Sequence, residues 1–197
     1  MSQTPAAHDS KYTQTPLPDG TLYRIVPMPV GIRVIRLWLE HDWPLSADHA
    51  LQLRDELGWV SSPSKTTLFT TNHGTGEKDA SAVVIRGMVN SFAFNLCSRI
   101  ALEFEPLVEA SARSAFDQYV GALSALYGEG TTEWDDDGEA RSVTWQLPST
   151  ATVRIGKSGW LLRVDIDSPS AVAAAAAEAE YFEMFDENDD ELPEDEW

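Results

Sequence analysis

Three short stretches in the C-terminal half constrain the fold more than anything else in this chain. Arg141 to Leu147 puts Val143, Trp145 and Leu147 on one side, and Ala151 to Ile155 puts Val153 and Ile155 there. Trp160 to Ile166 repeats the pattern through Trp160, Leu162, Val164 and Ile166, with Arg163 and Asp165 facing the other way. A period of two marks strands with one buried face. The connections Pro148-Ser149-Thr150 and Lys157-Ser158-Gly159 have hairpin length, so the three strands form an antiparallel meander.

The rest of the chain supplies helices to cover that sheet. Over Pro106 to Tyr127, Phe116, Tyr119, Val120, Leu123, Leu126 and Tyr127 recur at helical spacing, and Gly128 closes the run. Gly31 to Asp42 carries Ile32, Ile35 and Leu39 on one side, with Val34 and Trp38 widening the stripe. Ser46 is a suitable N-cap for a second helix, with Leu45 and Ala50 at staple spacing and Gly58 at the C′ position. Ala50, Leu53 and Leu57 mark its buried face. Thr66 to Thr71 is β-branched and aromatic and predicts a strand. Ala82 to Ile100 predicts two more, joined near Met88 to Ser91. Leu22 to Val30 is apolar, but Pro27 and Pro29 would confine a strand there to a sheet edge.

These elements predict an α+β fold, helices packed on a mainly antiparallel sheet, over residues 21–167 as a single domain. Residues 1–20, polar and with three prolines, are expected to be a disordered N-terminal arm. Residues 168–185 predict an Ala-rich C-terminal helix with Ser168 as N-cap and Pro169 at N1, docking Val172, Ala175, Ala179 and Phe182 as one stripe. Residues 186–197 are expected to be a disordered acidic tail. Leu53 to Gly58 and Leu123 to Gly128 end two helices alike, each followed by strands, which leaves open two pseudo-repeated α-β halves.

Charge narrows the partners. Glu178 to Trp197 holds eleven carboxylates and no Lys or Arg, out of a net charge of −18, leaving about −7 on the remainder. Such a polyanion repels phosphate backbones and anionic lipid and attracts basic proteins. No apolar run approaches the roughly 18 residues that a bilayer span needs. The first residues have neither a basic nor an apolar signal region, and Cys97 has no second cysteine to pair with, so a cytoplasmic, reducing compartment is expected.

Motifs with chemistry are sparse. Asn72-His-Gly-Thr-Gly-Glu-Lys78 lacks the lysine directly after the second glycine that a phosphate loop requires. Asp135-Asp136-Asp137-Gly138 is consecutive rather than alternating, which fits a turn better than a calcium loop. His41, His49 and His73 show no metal-ligand spacing. Cys97, among Phe94, Leu96 and Ile100, reads as a buried inert thiol. No cofactor, metal or catalytic residue is therefore expected. Trp38, Trp145 and Trp160 lie on buried stripes, while Trp43 and Trp59 flank the second helix as clamps. Trp134, between Glu133 and Asp135, suits an interface or a packing role over the sheet edge. The candidate partner-binding residues are Trp134, Asp135 and Asp136 near that turn, with Asp186, Glu187, Asp189, Asp190 and Glu191 in the tail.

The stretch Leu39-Glu-His-Asp-Trp43-Pro44-Leu-Ser46, then Leu53-Arg-Asp-Glu-Leu57-Gly58-Trp59 and Thr67-Leu-Phe-Thr70, carries a resemblance. So does Phe116 to Gly128 followed by Ser142-Val-Thr-Trp145-Gln-Leu147-Pro. Over residues 36–167 the chain resembles a family of small acidic actinobacterial proteins with an LDWP…LGW helix pair and an LYG helix before a W-x-L-P meander. That family is associated with immunity proteins of polymorphic toxins, including the immunity factor for tuberculosis necrotizing toxin, an NAD glycohydrolase. The resemblance implies a non-catalytic protein that occludes the active site of a cognate toxin, and brings no catalytic residues. An acidic chaperone or adaptor for a secreted substrate, and an enzyme without a recognisable motif, are the alternatives.

Overall fold

The structure, a computed structural model, describes residues 13–71 and 79–186. It is an α+β protein. A two-stranded ladder of β1 (Thr13–Pro16) and β2 (Leu22–Ile25) precedes α1 (Met28–Leu39) and α2 (Ala47–Glu56). Four strands follow: β3 (Val60–Ser62), β4 (Lys65–Thr70), β5 (Ala80–Ile85) and β6 (Met88–Asn95). A 3-10 turn leads into the long α3 (Glu105–Tyr127). The second four are β7 (Thr131–Trp134), β8 (Ala140–Gln146), β9 (Thr152–Ser158) and β10 (Leu161–Asp167), before α4 (Pro169–Asp186).

The eight strands form one sheet in the order β3-β4-β5-β6-β10-β9-β8-β7, with every neighbouring pair antiparallel. Each half ends in a four-stranded meander that follows a helix, α2 in the first and α3 in the second, with α1 and the β1–β2 ladder added to the first. The halves meet edge to edge through their last strands, with Phe92 opposite Ile166 and Phe94 opposite Val164. This is the arrangement that two pseudo-repeated α-β halves would adopt.

Register divides the sheet into two unlike faces. Phe69, Ala80, Ala82, Phe92, Phe94, Val164, Ile166, Val153, Ile155, Val143 and Trp145 share the buried face. Helix α3 packs across β8, β9 and β10, α1 lies against α3 and β10, and α2 meets β6. Trp38 of α1 stacks on Phe92 with ring centroids 3.8 Å apart and planes 11° from parallel, and Trp59 stacks beside it. The opposite face carries small and polar residues, among them Ser81, Ala93, Asn95, Arg163, Asp165, Arg154 and Ser142.

Several expectations need correction. The N-terminal arm is not disordered through residue 20, because Asp19 and Gly20 build a hairpin turn. The Asp19 carboxylate accepts from the backbone N–H and hydroxyl of Thr21, Gly20 takes φ +83°, and Leu17 is buried. The strand at Leu22 stops at Ile25, since Pro27 and Pro29 start α1 three residues early; Pro29 sits in the first turn, where a missing N–H costs nothing. The β5–β6 hairpin turns at Arg86-Gly87, where both residues have positive φ, rather than at Met88 to Ser91. The short edge strands β3 and β7 gave too little alternation to be read.

Caps follow the sequence closely. Ser46 Oγ accepts from the His49 N–H at 3.2 Å, and Leu45 and Ala50 are both buried. Helices α1 and α3 meet closely where Gly31 faces Tyr119, whose hydroxyl donates to the Val26 carbonyl at 2.9 Å. A methyl group at Gly31 would overlap both the hydroxyl and the ring. Gly31→Ala is therefore expected to cost about 1–3 kcal/mol of stability through overpacking, checked by urea denaturation. Gly121→Ala, with open space around its Cβ position, is expected to be neutral or stabilising in the same experiment.

Candidate functional site

Helix α4 is the part of the molecule least explained by its core. It starts well anchored: Ser168 is buried, its N–H donates to the Asn90 carbonyl at 2.9 Å, and its Oγ accepts from the Ala171 N–H at 3.1 Å. Val172 is half-buried, and from Ala173 to Phe182 every residue is exposed. The expected stripe of Val172, Ala175, Ala179 and Phe182 thus docks only at Val172, because the helix leaves the sheet at the end of β10 and has no further layer beneath it. Tyr181 is 54% and Phe182 59% exposed, their rings edge to face at 5.9 Å, between the carboxylates of Glu178 and Glu180 and the acidic end of the helix. Asp186 is the last residue of α4. Glu187, Asp189, Asp190 and Glu191 lie outside the described residues.

The other half of the expected site lies elsewhere. Trp134 ends the edge strand β7 and is 65% exposed. Asp135 next to it works as a turn residue: its carboxylate accepts from the N–H groups of Asp137 at 3.1 Å and Glu139 at 2.8 Å. Gly138 closes the turn with φ +76°, so the Asp137-Gly138 reading holds. Asp136 is exposed. Register puts Trp134 at the end of the sheet where β10 begins, whereas α4 leaves from the end where β10 finishes. The structure does not bring the two groups together at their bases.

Two features escaped the sequence reading. One is an open groove of about 780 Å³ along α1 and the end of α2, with Ile32, Leu37 and Trp59 apolar and Arg33 and Glu56 charged. The other is the contact of His41 with His49, ring centroids 5.1 Å apart, across the turn that joins α1 to α2. The loop Asn72 to Lys78, with His73, lies outside the described residues. Its flanks are tied together by the buried Asp79, which accepts from the Thr71 N–H and hydroxyl, each at 2.7 Å. Trp38 and Trp145 are core, and Trp160 is half-buried against it. Trp59 belongs to the central aromatic cluster more than to a clamp, while Trp43 donates to the Leu39 carbonyl at 3.3 Å.

Cys97 is fully buried; its thiol lies 3.3 Å from the Trp160 carbonyl and accepts from the Leu162 N–H at 3.2 Å. Burial pushes the thiol up to about 11, and burial likewise raises the Tyr23 hydroxyl beside it.

An α+β domain of this layout, two helix-plus-meander halves in one sheet, is the class the geometry defines. The chain belongs to a family of unknown function, DUF6301, whose model matches residues 30–168. The match spans α1 to the Ser168 cap, so α4 beyond its cap lies outside it. No curated protein and no solved structure matches the chain. No described helix is long and apolar enough to cross a membrane.

The thiol geometry has a measurable consequence. In the unfolded chain the thiol ionises near its ordinary 9.0, in the fold only near 11, so the stability it contributes is complete below pH 9 and lost between about 9 and 11. Urea denaturation is expected to show stability falling from pH 9, with the onset in Cys97→Ala delayed to about pH 10, where the hydroxyls of Tyr23, Tyr119 and Tyr127, all raised by burial, take over. A thiol reagent that labels the native protein at pH 8 as fast as the unfolded chain would contradict this burial.

Proposed function

We propose that this chain is a non-catalytic binding protein, an immunity protein that neutralises a cognate secreted toxin by occluding its active site. An NAD glycohydrolase is the toxin class suggested by the resemblance of residues 36–167. The observation that supports this reading most is α4, a helix that displays an aromatic pair among carboxylates and, among its side chains described as far as Phe182, packs on its own core only in its first turn. Exposed Tyr and Phe on a helix are the material of interface hot spots. Carboxylates around them would steer a basic partner, raising the association rate more than the lifetime of the complex. The continuation through Glu187, Asp189, Asp190 and Glu191 extends the same charge.

The test is co-expression with a toxin domain encoded beside this gene. Rescue of growth and a stoichiometric complex are expected. Tyr181→Ser with Phe182→Ser should leave the melting temperature nearly unchanged, because neither side chain is in the core. The same pair should weaken binding about ten- to a hundredfold, mainly through faster dissociation. Absence of a complex, or turnover of a substrate by the purified protein that one side-chain change abolishes, would contradict the reading.

A further inference from the structure

His41 and His49 stand eight residues apart in a chain with four histidines, and the turn between α1 and α2 brings their rings together. The ring centroids are 5.1 Å apart and the planes meet at 64°. An imidazole nitrogen binds a divalent zinc-like ion at about 2.0–2.1 Å, which puts the ring centroid about 3.2 Å from the ion. Two rings on one tetrahedral ion therefore lie about 5 Å apart. The pair already has the spacing of two ligands that share an ion.

Hydrogen bonding selects the ligating form of His41. Its Nδ1 lies 3.1 Å from the Asp42 carbonyl oxygen. A carbonyl only accepts, so Nδ1 carries the proton, and in the neutral ring Nε2 is left with the free lone pair. A backbone carbonyl behind the ring is a common partner of a metal-bound histidine, because it fixes both tautomer and orientation. His49 is exposed, and its ring takes no hydrogen bond among the described residues.

The backbone beneath both rings is held without an ion. Trp43 Nε1 donates to the Leu39 carbonyl, Leu45 is fully buried, and the Leu45 carbonyl accepts from the Val89 N–H at 2.8 Å. The Ala47 N–H donates to the Gly87 carbonyl at 2.9 Å, and the Ser46 cap fixes the His49 backbone. Only side-chain torsions have to adjust, which is what a preorganised site requires. Charge also favours a cation. Residues 40–49 hold Glu40, Asp42 and Asp48 and no Lys or Arg. Arg36 neutralises Glu40 at 2.9 Å. Asp42 and Asp48 are exposed and have no ion-pair partner among the described residues, and Asp48 offsets the partial positive charge of the α2 N-terminus beside His49.

We propose that His41 and His49 form a two-histidine site for a divalent first-row ion that prefers imidazole, namely Cu²⁺, Ni²⁺ or Zn²⁺. Among the described residues no group of three His, Cys, Asp or Glu is placed to hold a metal, so the protein supplies two ligands and water the others. Mg²⁺ and Ca²⁺, which take oxygen ligands, do not fit. A bound ion clips the end of α1 to the first turn of α2 and stabilises the fold that presents the pair. The site is independent of the immunity reading.

The test is calorimetric titration of the full chain with ZnCl₂ and NiCl₂, with MgCl₂ as comparison, together with melting curves in each salt. One Zn²⁺ or Ni²⁺ per chain is expected, with a raised melting temperature that EDTA reverses, and MgCl₂ should produce neither effect. His41→Ala and His49→Ala each leave a single imidazole and should weaken binding about tenfold or more, with the fold retained by circular dichroism. The pair His8→Gln with His73→Gln should leave binding unchanged. Cu²⁺ on the full chain should show electron-spin coupling to two nitrogens, and to one in either alanine variant. No heat beyond the MgCl₂ control, binding lost with His8 and His73, or binding unchanged in both alanine variants would each overturn the assignment. Should those variants fail to fold, coupling to fewer than two nitrogens in the full chain overturns it alone.

Discussion

The antiparallel ladder between β6 and β10 is the contact on which the remaining structure depends. Among the described residues it is the only ladder that joins two four-stranded meanders otherwise each built from neighbours in sequence, and it pairs residues about seventy positions apart. Its buried face supplies Phe92, Phe94, Val164 and Ile166 to the core. Trp38 lies flat on Phe92, with Trp59, Phe69 and Phe94 around it, so α1 and the start of β3 are positioned by the same few rings. Stacked aromatic pairs of this kind add about 0.5–1.5 kcal/mol each beyond the area they bury. The ladder also continues into coil: Leu96 N–H donates to the Leu162 carbonyl and Val26 N–H to the Leu96 carbonyl, which ties the N-terminal hairpin to the seam beside Cys97.

Most of this was legible in the sequence where a local rule and the tertiary environment agree. The meander from Arg141 to Ile166 could be read because Val143, Trp145, Val153, Ile155, Leu162, Val164 and Ile166 bury one face, and α3 because its stripe from Phe116 to Tyr127 continues for about three turns. Ser46, Gly58 and Ser168 announced their helix ends through hydrogen bonds made within a few residues. Pro27 and Pro29 misled because proline is as welcome in a first helical turn as at a sheet edge, and only the packing of Gly31 on Tyr119 decides between them. The strands β3 and β7 are three and four residues long, held by pairing to their neighbours rather than by a pattern of their own.

The surface was less legible, since exposure depends on what the rest of the chain fails to cover. Trp134 is as exposed as an interface residue should be, yet Asp135 beside it is taken up in holding a turn. The apolar positions of α4 read as a docking stripe, and only the fold reveals that the sheet ends beneath them. The polar row across the sheet could not be found from sequence: Glu133, Ser142, Gly156 and Arg163 are spread over thirty residues and meet only because four strands line them up. What emerges is a frame, residues 30–168, shared with its family, and a helix beyond it that carries exposed aromatic and acidic side chains.

The central claim, a sheet locked at its β6–β10 seam with α4 standing clear of the core, is tested most directly by amide hydrogen exchange on the free protein. Amides of β6 and β10 should exchange only through global unfolding, with the edge strands β3 and β7 exchanging sooner. Beyond Val172, α4 should exchange orders of magnitude faster than the seam, as a helix without packing does. Protection of residues 173–182 equal to that of the seam would mean that α4 is packed on the core in solution, and would contradict the account.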